Sequence, residues 1–372
     1  MKSKILQIDW LLLVFLIPVL FAGLATMKSF TSVTPYFSHQ LVFIIIAFLI
    51  FFIFSFINFR FLRRTDVIVS IFLFFTLLLI LLLFIGHTAN GATSWFNFGF
   101  FSFQPSDMMK LVVILVLAKY FSRRHVEIRN IKHIFISALY ALIPFLLVFF
   151  QPDFGSAMII FFIWLGMTLV SGIAKRHLLI VFGLGAVCFF ALWTFVFQDY
   201  QKNRIITFAN PLSDIHGSGY NVLQSTIAVG SGQIFGKGVG FGTQSRLQFL
   251  PEYQTDFIFS AYAEEWGFLG VVLLFILFGL ILWRILHISS LGATNFEILF
   301  GVGFVIYIAS HMIVNIGMNL GLMPVTGITL PFMSYGGSHL ITEFIGLGML
   351  MGMRRYNRVA HRDDMRNEFL GI

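Results

Sequence analysis

The sequence predicts an all-α polytopic membrane protein with about ten transmembrane helices, each near the ~20 residues needed to cross the hydrocarbon. Three observations lead there. Hydrophobic residues make up 58% of the chain and charged residues only 11%, and 49 of its 372 residues are Phe. No soluble core of this size could hide so much apolar surface. Long apolar runs alternate with mostly short connections, and Lys and Arg gather on alternate connections, the pattern of a polytopic chain with a basic cytoplasmic side.

The runs lie roughly at 10–25, 41–59, 67–85, 108–121, 134–150, 157–171, 178–197, 257–284, 296–316 and 338–353. Of the 24 Lys and Arg residues, Lys28, Lys202, Arg204, Lys237 and Arg246 fall on the outer side, and Lys110 lies near the outer border. The others fall inside, so both termini are read as cytoplasmic. The net charge of +8 then reflects topology and anionic inner-leaflet lipid and gives no support for nucleic-acid binding. The first run ends in Ala22-Gly-Leu-Ala25 like a cleavable signal, but its basic flank is minimal and it is read as a retained helix. The lone Cys188 lies in an apolar run and reads as a small buried hydrophobe. Residues 1–372 form one domain.

Two outer connections stand out. Residues 87–106 are rich in Gly, Ser and aromatics and carry no charge. Residues 198–255, between the seventh and eighth helices, are far longer, and a loop of that length in a compact protein is usually functional. Tyr220–Val229 predicts a short amphipathic helix at the membrane surface, followed by a Gly-rich turn at 230–240. The loop is therefore expected to be an ordered lid or platform.

The loop ends at Leu250-Pro-Glu-Tyr-Gln-Thr-Asp-Phe-Ile-Phe259, which sets Glu252 and Asp256 at the foot of an apolar helix. Ionisable groups at a membrane border are usually partnered and often functional. Asp256 admits two compatible roles: an N-cap of the following helix, or a general base that takes a proton from an attacking hydroxyl. Gln104-Pro-Ser-Asp-Met-Met-Lys110 opens another helix, with Asp107 and Lys110 on one face at i, i+3. Lys110 needs an anion there: Asp107 alone, or else a phosphate or a second carboxylate such as Asp256. Asp153, in Gln151-Pro-Asp-Phe-Gly155, suits the cap of the next helix. Glu264 and Glu265 lie about 12 Å beyond Asp256 at 1.5 Å per residue; they, and Glu343, read as structural polar contacts.

Arg204, Lys237 and Arg246 share a segment with the Gly-rich turn, whose amides could form an anion nest suited to a diphosphate. Pro324–Ser338 is irregular polar backbone close to the membrane, tolerated where it lines a cavity. No nucleotide-binding loop, nucleophile elbow or His/Cys ligand spacing occurs, and His311 and His339 read as packed helix residues.

Several of these segments together resemble the SEDS family (shape, elongation, division and sporulation), in its RodA branch. They are Phe103–Lys110, Gln151–Gly155, Arg204-Ile-Ile-Thr-Phe-Ala-Asn-Pro211, Gly219–Ser225, Gly242-Thr-Gln244, Leu250–Phe259, Glu264-Glu-Trp-Gly267 and Pro324–Ser338, in order along most of the chain. The wording at 207–211 and 242–252 resembles RodA more than FtsW. The resemblance implies a glycosyltransferase of the bacterial inner membrane that polymerises lipid II into peptidoglycan on the extracytoplasmic face. It would work for elongation and rod shape beside a class B penicillin-binding protein. A lipid flippase and a noncatalytic scaffold are the rival readings.

The family's essential aspartate falls on Asp256. Lys110, Asp107, Arg204, Lys237, Arg246, Glu252, Gln224 and Ser334 are expected to meet the diphosphate or sugars. A divalent cation, Mg or Mn, is a candidate to share the leaving group's charge. Two positions depart from the family pattern: Asp107 stands where glutamate is usual, and Ser94 stands where a basic residue often precedes the loop Trp.

Overall fold

The computed structural model describes residues 8–370 apart from 30–35, 90–91, 98, 100–101, 125–130, much of 173–198, 211–213, 215–216 and 248. Long helices occupy nine of the predicted runs. They are α1 (Trp10–Ser29), α2 (Tyr36–Phe56), α3 (Thr65–Ile85), α4 (Pro105–Arg124), α5 (Ile131–Phe150), α6 (Phe154–Val170), α10 (Ile258–Ser290), α11 (Asn295–Asn319) and α12 (Gly337–Leu370). Six of the nine (α1, α2, α3, α5, α10 and α11) are long and apolar enough to cross a membrane by length and composition. The seventh predicted run, with Cys188, lies largely outside the described residues.

The long connection at 198–255 carries three helices, α7 (Asp199–Ala209), α8 (Ser218–Ser231) and α9 (Thr243–Arg246). The expected helix at 220–229 is present, and it packs on α10 with Ser225 and Ala228 buried. The connection at 87–103 corrects the all-α expectation. Its Thr, Trp and Phe residues favour extended backbone and form an antiparallel meander of β1 (His87–Ala89), β2 (Ala92–Asn97) and β3 (Ser102–Phe103), with Ala89 opposite Ala92 and Phe96 opposite Phe103.

The helices form one bundle around α4 and α11. Helix α12 lies along α2, α1 along α10, and α11 against α4, α6 and α10. Small residues let the central helices approach closely: a Cβ on Gly303 of α11 would lie 2.7 Å from Ile114 Cγ2 of α4, and one on Gly166 of α6 would lie 2.7 Å from Ile306 Cγ2 of α11. At the end of α10 far from Asp256, Asp9 holds Arg284 with bonds of 2.9 and 2.8 Å and also contacts Arg354, tying α1, α10 and α12 together.

Helix α10 is interrupted at Gly267, whose φ of 65° lies in the left-handed region. There the amides of Phe268 and Leu269 leave their i−4 carbonyls and donate to Gln233 and Ile234 at 2.8 and 3.1 Å. The released carbonyls of Glu264 and Glu265 accept from the amides of Lys237 and Gly238, both at 3.0 Å. Two rungs of the helix are thus exchanged for four bonds to the loop between α8 and α9. Only glycine fits: a Cβ on Gly267 would lie 2.2 Å from the Gly236 nitrogen.

Candidate active site

The turn that carries Asp256 is stitched to its surroundings by three consecutive carbonyls. Gln254 accepts from the Tyr335 amide at 2.8 Å and Thr255 from the Ser334 hydroxyl at 2.7 Å. Asp256 accepts from the side-chain amides of both Asn315 and Asn319, each at 2.9 Å. Those two asparagines sit one turn apart on α11, so both amides reach one point. Asn319 Oδ1 also accepts from the Ser260 amide at 3.1 Å and its hydroxyl at 2.6 Å, and Asn315 donates to the Ile328 carbonyl at 2.7 Å. Bonds between buried polar groups of this kind hold a backbone in one position.

The carboxylate of Asp256 is left out of this network. The N-cap of α10 is Phe257, and no side chain caps the helix, which corrects the expectation that Asp256 is an N-cap. The Glu252 carbonyl, presented by a residue at φ 48°, receives the Thr255 and Phe257 amides at 3.1 and 3.2 Å and closes the turn without an acidic side chain. Among the described residues, Asp256 Oδ2 faces Gly327, where a Cβ would lie 3.6 Å away. Gly327 adjoins Pro324, Val325 and Thr326, which line a cleft with Phe154, Gln201, Arg204 and Ile205. Burial and then the Glu252 carboxylate push the Asp256 pKa up from 3.8 to about 7, while Arg204 pulls it down and Asp153 adds to the rise.

Separate sequence motifs therefore meet here. Asp153 caps α6 by accepting from the Ser156 amide at 3.0 Å, and its other oxygen accepts from Gln104 Nε2 at 3.0 Å. The Gln104 amide donates to Ser338 Oγ at 3.0 Å. Ser334, expected at the substrate, spends its hydroxyl on the Thr255 carbonyl and accepts from the Leu330 amide at 2.8 Å. Glu252 is exposed at the rim, with Oε2 accepting from Thr255 Oγ1 at 3.0 Å. Gln224 is half-buried on α8.

Other expected site residues are engaged elsewhere. Lys110 is fully buried, with Nζ 3.0 Å from Asp107 Oδ1, and neither it nor Asp256 is among the residues lining the cleft. His339 lies 3.6 Å from Asp107 and 2.9 Å from Glu343, and stacks on His311 at 4.6 Å between ring centres. Lys237 donates to buried Glu264 at 2.7 Å and to Thr243 at 2.8 Å. Glu264 also accepts from the Gln244 amide at 3.1 Å and Thr243 Oγ1 at 3.2 Å, and Glu265 accepts from the Gly240 amide at 2.7 Å. Arg246 is exposed at the end of α9. No group of three or more His, Cys, Asp or Glu side chains placed to hold a metal ion occurs among the described residues.

Sequence reasoning missed Asn315 and Asn319. Two asparagines at i, i+4 inside an apolar helix were the available signal, because polar residues at that depth need partners.

The family model described as "cell cycle protein", covering FtsW, RodA and SpoVE, matches residues 4–359. The chain belongs to this family. Among curated relatives, this family member is 40% identical over 300 residues to stage V sporulation protein E of Bacillus subtilis (strain 168), covering 80% of each chain. It is 38% identical over 277 residues to the peptidoglycan glycosyltransferase MrdB of Escherichia coli (strain K12), covering 74% of this chain and 75% of that one. Among solved structures it matches a chain of a peptidoglycan synthase complex that coordinates polymerization and crosslinking, with a TM-score of 0.80, 31% identity and coverage of 94% and 98%. It also matches the rod shape determining protein RodA of Thermus thermophilus, with a TM-score of 0.69, 31% identity and coverage of 93% and 96%.

Proposed function

We propose that this family member is a peptidoglycan glycosyltransferase that polymerises lipid II into glycan strands at the outer face of the bacterial inner membrane, for elongation and rod shape. Membership of a family with peptidoglycan glycosyltransferases supports the reaction class. The basic connections support termini on the cytoplasmic side and a site outside. A class B penicillin-binding protein is the proposed partner, in keeping with the polymerising and crosslinking complex that the fold matches.

The observation that carries the mechanism is an acid fixed through its own carbonyl whose carboxylate, outside that network among the described residues, faces Gly327 next to the cleft-lining Thr326. A pKa near 7 suits a general base, since the group is then both ionised and basic at neutral pH. In the proposed step the acceptor sugar's 4-hydroxyl attacks the anomeric carbon of the diphosphate-linked glycan. The new C–O bond forms as the bond to the diphosphate breaks, and the hydroxyl proton passes to Asp256. A single displacement inverts the anomeric centre. Undecaprenyl diphosphate departs with its negative charge, which Arg204 at the cleft wall is placed to offset. Lys110 and Lys237, already paired with Asp107 and Glu264, act on the site through the fold.

Labelled lipid II supplied to the purified protein in detergent, with and without an added class B penicillin-binding protein, tests the reading. Glycan polymer is expected. Its absence in both arms would leave a flippase or a scaffold, since detergent offers no second leaflet to flip into.

A further inference from the structure

The loop between α8 and α9 that splices into α10 has a second property. Its outward residues are Ile234, Phe235, Val239 and Phe241, with Phe235 80% and Phe241 67% exposed. A water-facing loop seldom presents such side chains together, and contiguous exposed apolar surface marks a contact. Several of the loop's backbone groups turn inward, while the Gln233 side chain is exposed at its start. The exchange with α10 occupies the carbonyls of Gln233 and Ile234 and the amides of Lys237 and Gly238, and Gly240 donates to Glu265. The one charge on this stretch, Lys237, folds back on Glu264.

We propose that residues 234–241 are a wedge inserted among the acyl chains at the membrane border, with lipid as the occupant of this apolar face. Irregular backbone persists at membrane depth only where protein satisfies its polar groups, and the spliced helix ladder does this for the Gln233 and Ile234 carbonyls and the Lys237 and Gly238 amides. The apolar face is also continuous with a surface that meets hydrocarbon, because Phe268 and Leu269, the partners of Gln233 and Ile234 in the exchange, are exposed and begin the apolar lower part of α10. That lower part, Phe268–Ser290, is about 34 Å long at 1.5 Å per residue. It spans a ~30 Å hydrocarbon layer unaided. The splice therefore marks the level at which α10 enters the membrane. The upper segment, Ile258–Trp266, and the Asp256 turn stand above that level, at a height the wedge sets. The insertion holds whichever reaction the cleft performs.

Nitroxide labels on single cysteines test this in lipid nanodiscs of phosphatidylethanolamine and phosphatidylglycerol, using full-length protein with Cys188→Ser. Phe235→Cys and Phe241→Cys report on the wedge, Phe268→Cys serves as the lipid reference and Arg246→Cys as the aqueous one. The ratio of oxygen to water-soluble nickel accessibility at 235 and 241 is expected to equal that at 268 and to exceed that at 246 severalfold. Ratios equal to that at 246 would place the loop in water and overturn the proposal. Protection from both reagents would show protein as the occupant and overturn it equally. If a cysteine variant fails to elute like wild type, quenching of Phe241→Trp fluorescence by brominated lipid gives the same decision. Asp256→Asn protein should give unchanged ratios, which separates this test from that of the proposed reaction.

Discussion

Asp107 and Asp256 are two acids near the ends of loops in one bundle, and the protein treats them oppositely. Asp107 is buried with its carboxylate against Lys110 and close to His339. Asp256 is tethered by its backbone, and its carboxylate is half-buried near another negative group, Glu252 at the rim. The first arrangement neutralises a charge and fixes α4 near α12. The second keeps a charge costly to form, so the group holds a proton more readily and can exchange it near neutral pH. A paired buried acid suits a role in the fold, whereas an acid held by its main chain, with no cation bonded to it among the described residues, suits the proposed chemistry.

The contrast can be broken most severely at Lys110. Lys110→Met leaves Asp107 buried without its ammonium partner and is expected to cost about 3–5 kcal/mol of stability. Thermal unfolding in detergent measures this, and adding Asp107→Asn to the same chain should restore most of the loss. Asn319→Ala comes next. It removes a donor to the Asp256 carbonyl and the acceptor used by Ser260, for roughly 1–3 kcal/mol and a fall in turnover as the carboxylate loses its fixed position.

Smaller effects should appear as displaced pH profiles. With Asp256 as the proposed base its ionised form would be the active one, so the polymerisation rate should rise with pH through about 7. Glu252→Gln removes a negative neighbour and should move that limb to lower pH. Arg204→Gln removes a positive neighbour and should move it to higher pH, with a lower rate at neutrality. Opposite displacements in the two variants would confirm the electrostatic assignment, and matching ones would sink it. The smallest effect is expected at exposed Arg246, where Ala should alter stability by no more than about 0.5 kcal/mol and leave the limb in place.

Much of this was legible in the sequence where one residue type sufficed as a signal. Apolar runs located nine of the long helices, since hydropathy and length are local properties. The Asp256 turn was legible because a carboxylate is conspicuous beside an apolar helix. The β-meander at 87–103 was missed because its short strands carry no strong alternation. Pairing decided the remaining assignments, and pairing is not local. Lys237 looks like a cation for a diphosphate until the splice at Gly267 brings Glu264 to it. Ser334 looks like a substrate hydroxyl until the 324–336 segment folds against Thr255. The capping role assigned to Asp256 failed because the Glu252 carbonyl closes the turn and leaves Phe257 as the cap.

The central claim is that the Asp256 carboxylate takes the proton. Its most direct test is the pH dependence of lipid II polymerisation by wild-type and Asp256→Asn protein matched for thermal stability. Asp256→Asn should be roughly 10²–10⁴-fold slower and should lack the limb near 7 expected for wild type. An asparagine variant that polymerises at the wild-type rate, with the same limb, would contradict it.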